Sequence, residues 1–102
     1  MLIHTVIFWL KDELNSEQVE KFRSGLESLQ RIEATEAVYI GTPAQTPERP
    51  VIDTSYDFCL TVLLKDMAAH DAYQEHPRHE DFVTQFSGYW KQVTIYDAKG
   101  LE

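Results

Sequence analysis

A chain of 102 residues, 43 % hydrophobic and 25 % charged, suits one globular domain, expected here over residues 1–102. Its 17 acidic against 9 basic side chains give a formal net charge of −8, which repels phosphate backbones and anionic lipid and argues against nucleic-acid and membrane partners. No apolar run nears the roughly 20 residues that span a bilayer, the single Cys59 leaves no intramolecular disulfide and no cysteine-rich zinc site, and no glycine-rich phosphate loop is present, so a cytoplasmic location is the expectation.

Residues 2–10 are β-branched and aromatic without an internal turn residue, and predict a strand. One face carries Leu2, His4, Val6, Phe8 and Leu10, the other Ile3, Thr5, Ile7 and Trp9. Both faces are largely apolar, so both want cover. Asn15 or Ser16 caps a following helix to about Gln30, with Gln18 at capping-box spacing and Val19, Phe22, Leu26 and Leu29 forming its apolar stripe. Its Glu-rich opposite face is a solubility surface.

Residues 36–41 read as a short second strand. Pro43, Pro47 and Pro50 then make residues 42–54 a long loop. Residues 56–64 alternate as a third strand. Asp66 caps a helix from Met67 to about His76, Pro77 interrupts it, and helical periodicity resumes from Arg78 to Trp90, with Gly88 a stop signal in its last turns. Residues 93–96 form the last strand, and 98–102 a short tail.

The order β-α-β-β-α-β predicts an α+β, ferredoxin-like fold: a four-stranded antiparallel sheet with both helical regions on one face. The uncovered sheet face then asks for a second copy, most simply across a two-fold axis, as a homodimeric barrel. Trp9, Tyr39 and Trp90 are expected in the core or at that interface.

The chemistry concentrates in Tyr73-Gln74-Glu75-His76-Pro77-Arg78-His79. Phenol and imidazole are acid–base groups, and His4 adds a third imidazole on the first strand. Tyr73 and His76 share a helix face, while the Pro77 break lets His79 turn independently. A buried imidazole stays neutral and able to accept a proton, and a phenol can polarise a carbonyl. The competing reading makes these groups core or helix-junction residues bonded to backbone. A metal would need a third ligand beside His76 and His79, from His4, Glu75, Glu80 or Asp81, and Pro77 disturbs the spacing; no metal and no cofactor are expected. His70 falls near Asp66 and Asp71 and is expected in solvent. Cys59 reads as a small buried hydrophobe.

Four segments together resemble the stress-responsive A/B barrel, or Dabb, family. They are Ile3 to Asp12 with its early histidine, Tyr56-Asp57-Phe58, the Tyr73–His79 segment (similar to the family's Tyr-x-x-His-Pro-x-His), and Val93 to Asp97. The resemblance implies a homodimeric α/β barrel with a pocket between sheet and helices in each protomer. Most members have no assigned reaction. One branch cyclises a linear polyketide by aldol chemistry, which by resemblance gives His79 the role of general base, Tyr73 that of carbonyl-holding donor, and His4 a place in the same pocket. His76, Phe58, Val6 and Phe8 are expected to line it. Phe58 stands where that branch has a further pocket histidine, which argues against the same substrate.

The expectation is a pocket for an apolar, carbonyl-containing small molecule. Its alternatives are a cofactor-independent cyclase or lyase using His79 and Tyr73, and a cofactor-free monooxygenase.

Overall fold

The alternation of residues 2–10 becomes the central strand of the molecule. The computed structural model describes residues 1–101. In chain order the elements are β1 (Leu2–Leu10), α1 (Ser16–Ser28), a 3-10 turn (Leu29–Arg31), β2 (Thr35–Gly41), β3 (Phe58–Leu64), α2 (Met67–Glu75), α3 (Pro77–Phe86) and β4 (Trp90–Lys99). The sheet runs β2-β3-β1-β4 with every pair antiparallel, which is the expected α+β, ferredoxin-like topology.

Strand alternation sets two unlike faces. His4, Val6, Phe8 and Leu10 of β1 and Phe58, Leu60, Val62 and Leu64 of β3 are buried toward the helices. Ile3, Thr5, Ile7, Trp9, Cys59, Thr61 and Leu63 occupy the other face and are only partly covered, and Tyr39 on the same face is exposed. Phe22 of α1 is fully buried at the centre of the helical layer, with Phe8, Phe58, Phe82 and Phe86 at ring-centroid distances of 5.2–5.7 Å. Such edge and tilted packings contribute beyond simple area burial.

The caps explain where helices begin. Asn15 and Gln18 form the reciprocal capping box at the start of α1. The Asp66 side chain accepts from the Ala69 amide to open α2. His76 closes α2 in the extended conformation that a following proline imposes, and its Nδ1 accepts from the Arg78 amide to open α3 with Pro77 at the first position.

The extents of α3, β4 and β3 differ from the sequence reading. Helix α3 stops at Phe86, and Trp90 begins β4 instead of ending the helix. Strand β4 is longer than residues 93–96, because its pairing with β1 from Leu2↔Lys99 to Leu10↔Trp90 recruits polar residues at both ends. Strand β3 starts at Phe58, since Asp57 bonds across to β1 instead of continuing the ladder: its amide donates to Phe8 and its carboxylate accepts from the Leu10 amide at 2.7 Å.

Candidate functional site

Between the helices and the β1–β4 half of the sheet lies a cavity of about 200 Å³. Its apolar wall includes Val6, Phe8, Leu60, Phe82, Trp90 and Ile95, and its polar groups are His4, Tyr73, Gln74 and His79. The cavity therefore brings together His4, Val6, Phe8, Tyr73 and His79. It does not reach His76 or Phe58. His76 is spent on the helix junction, with its Nε2 3.6 Å from the exposed Glu33 carboxylate. Phe58 points into the aromatic core against Phe22. A larger, shallow depression of about 380 Å³ along loop residues Thr46, Glu48, Arg49, Pro50, Ile52 and Thr54 holds no histidine or tyrosine.

Tyr73 is 1 % exposed, and its ring packs edge-on to His79 at 4.9 Å between centroids. Burial raises its pKa far above the ordinary phenol value, so the hydroxyl keeps its proton. Among the described residues no hydrogen bond joins that hydroxyl to His79; the two rings are packed neighbours instead of a bonded pair. The His79 imidazole is half-buried, and its pKa is lowered from 6.5, first by desolvation and then by the neighbouring His4. The Gln74 backbone carbonyl beside the ring partly opposes that shift.

His4 is 2 % exposed on β1, and its Nδ1 lies 2.5 Å from the Asp97 carboxylate on β4. The pairing register puts these two residues directly opposite each other. The His70 ring of α2 stands edge-on to His4 at 5.5 Å, and Tyr73 does so at 5.9 Å. His70 was expected in solvent, and this is corrected: its side chain is only 17 % exposed, because it precedes Tyr73 by three residues and shares that inward face. Asp97 went unrecognised because the last strand was expected to end before it. Its alternation with Val93 and Ile95 along an extended β4 is the signal that places it on the helix-facing side.

Fold and cavity together describe a ferredoxin-like α+β domain with an acid–base cluster at the base of an apolar pocket. The chain belongs to the stress responsive A/B barrel domain (Dabb) family, whose profile matches residues 2–99. No curated protein sequence matches it. Among solved structures it is similar to a Dabb family protein with a ferredoxin-like fold from Mesorhizobium loti. The identity is 25 %, the TM-score 0.80, and 99 % of this chain and 97 % of that one are covered. It is similar also to a dimeric ferredoxin-like protein of unknown function from Thermobifida fusca, at 20 % identity and TM-score 0.77 over 95 % and 88 % of the two chains. A hydroxynitrile lyase from Passiflora edulis shares the fold at 16 % identity and TM-score 0.80, over 95 % and 90 %.

Proposed function

We propose that the protein is a homodimer whose cavity receives a small apolar molecule bearing a carbonyl group, and that Tyr73 and His79 act on it as donor and base. One observation carries the reading: a protonated phenol and a neutral imidazole packed edge to edge at 4.9 Å on the wall of an otherwise apolar cavity. In such a wall the Tyr73 hydroxyl, which has no hydrogen-bond partner among the described residues, donates to the ligand carbonyl. A ring nitrogen of His79 takes a proton from the carbon beside that carbonyl, and the negative charge moves to the oxygen held by Tyr73. A low-dielectric surround strengthens that stabilisation relative to water. The same fold carries a hydroxynitrile lyase in Passiflora edulis, which makes lyase-type chemistry compatible with the scaffold.

The homodimer reading rests on the half-covered face of Ile3, Ile7, Trp9, Leu63 and Tyr39, an apolar surface suited to the same face of a second copy. The dimeric relative from Thermobifida fusca supports it.

The test is proton exchange in deuterated water with a panel of aromatic and aliphatic ketones and β-diketones. Parent protein should incorporate deuterium beside the carbonyl of at least one ligand that also raises its melting temperature. His79→Ala should lower the exchange rate by about 10²–10⁴-fold while retaining ligand binding. Binding without exchange reduces the protein to a carrier. Absence of both across the panel defeats the carbonyl reading.

A further inference from the structure

His4, His70 and Asp97 come from three different elements, yet each offers a ligand-type atom, and these atoms lie within 4.8 Å of one another. Sheet register sets His4 against Asp97, and α2 brings His70 over them. An ordinary ion pair accounts for only two of the three. No hydrogen bond links His70 to His4 or to Asp97 among the described residues; its Nδ1 instead faces Asp71 at 3.4 Å. We propose that His4, His70 and Asp97 form a binding site for a divalent first-row transition cation, zinc(II) being the representative ion, on the flank of the cavity.

The ligand chemistry fits. Two imidazoles and one carboxylate suit a borderline cation, and three protein ligands leave one position of a tetrahedron open. Two neutral imidazoles and one carboxylate carry a single negative charge, which a dication overcompensates by only one unit. Asp71, beside His70, is placed as the outer carboxylate that orients a ligating histidine. The overall charge of −8 favours cation approach.

The geometry requires modest movement. Bonds of about 2.1 Å at tetrahedral angles put ligand atoms about 3.4 Å apart. The His4–Asp97 contact of 2.5 Å must therefore open and the wider separations must close. His4 is fixed in the sheet, but the Asp97 side chain is 44 % exposed and free to swing, and its exposure also gives an ion its entrance. The site does not depend on any reaction in the cavity, because neither His70 nor Asp97 lines it.

The experiment is titration of the chelator-stripped, full-length protein with cobalt(II) and zinc(II), read by calorimetry and by the visible absorption of bound cobalt. The expected result is one ion per protomer, with cobalt bands indicating four or five ligands. His70→Ala and Asp97→Asn should each weaken binding by more than the roughly 10–100-fold typical of losing an outer-shell partner. Circular dichroism verifies that each variant is folded, and His70→Gln serves if His70→Ala is not. His76→Asn, which keeps a helix-capping acceptor, removes the other imidazole–carboxylate pair as a competitor. No binding below millimolar cobalt or zinc overturns the assignment. So does binding that survives loss of His70, or binding that disappears with His76→Asn.

Discussion

Removing the Asp97 carboxylate should uncover what His4 depends on. His4 is nearly inaccessible, and Asp97 is its one hydrogen-bonding partner among the described residues, at 2.5 Å. A hydrogen bond to a charged acceptor contributes about 1.5–3 kcal/mol. The Asp97 side chain is 44 % exposed, so solvent screening favours the lower end of that range. Asp97→Ala is therefore expected to cost about 1.5 kcal/mol, or about 6–12 °C in melting temperature for a domain of this size. Asp97→Asn keeps an acceptor and should lose about half as much. His4→Phe replaces the imidazole with an apolar ring that needs no partner, so the double variant His4→Phe/Asp97→Ala should cost less than the sum of the single changes. A coupling energy of about 1 kcal/mol is expected from urea unfolding at fixed protomer concentration with chelator present. If the coupling is below about 0.3 kcal/mol, the pair contributes nothing specific and the argument for a built cluster around His4 fails.

Three further outcomes follow from other parts of the molecule. A Cβ added at Gly25 meets Phe86 Cε2 at 2.4 Å, and Phe86 is held between Phe22, Phe82 and Tyr89. Gly25→Ala should therefore lose about 1 kcal/mol in denaturant unfolding, as overpacking of about 1–3 kcal/mol outweighs a helix-propensity gain of about 1 kcal/mol; a stabilised variant would contradict the α1–α3 packing. Burial holds the His79 pKa below 6.5, so the unfolded chain binds the extra proton first as pH falls. Stability should be fully present above pH 6.5 and decline as pH falls toward the depressed folded value. His79→Gln should flatten this part of the stability profile, and an unchanged profile would count against the shift. Ile7→Asp places a charge at the centre of the half-covered sheet face and should convert the proposed dimer to a folded 11.9 kDa monomer in sedimentation, whereas a parent that is already monomeric at micromolar concentration removes the interface.

The strands and helices were legible where local signals agree. Residues 2–10 are β-branched and aromatic without a turn residue, Asn15 and Gln18 announce a helix start, and Pro77 marks the junction between α2 and α3. Legibility failed where a neighbouring strand, not the local sequence, decides the conformation. Lys91, Gln92, Asp97 and Lys99 are poor strand residues taken alone, yet pairing with β1 carries β4 through all of them. That failure concealed Asp97 and with it one of the three members of the cluster. His70 was misread because the charges at Asp66 and Asp71 suggested a wet helix face, although its three-residue spacing from Tyr73 pointed inward. The Pro77 break left the orientation of His79 open in the sequence; the structure packs its ring edge-on to Tyr73.

The junction at His76 and Pro77 divides the pocket into a fixed part and an adjustable part. His4 sits in the middle of a sheet paired on both sides, and Tyr73 is anchored on α2, so the donor end of the cavity is rigid. His79, Phe82 and Val83 ride on α3, which begins only after the break, is capped by His76 and is anchored in the core by Phe82 and Phe86. Substitutions at the cavity-lining Val83, outside the aromatic core, can thus reshape the cavity beside the base without disturbing the sheet. One scaffold can in this way be retuned to ligands of different length by altering a ten-residue helix.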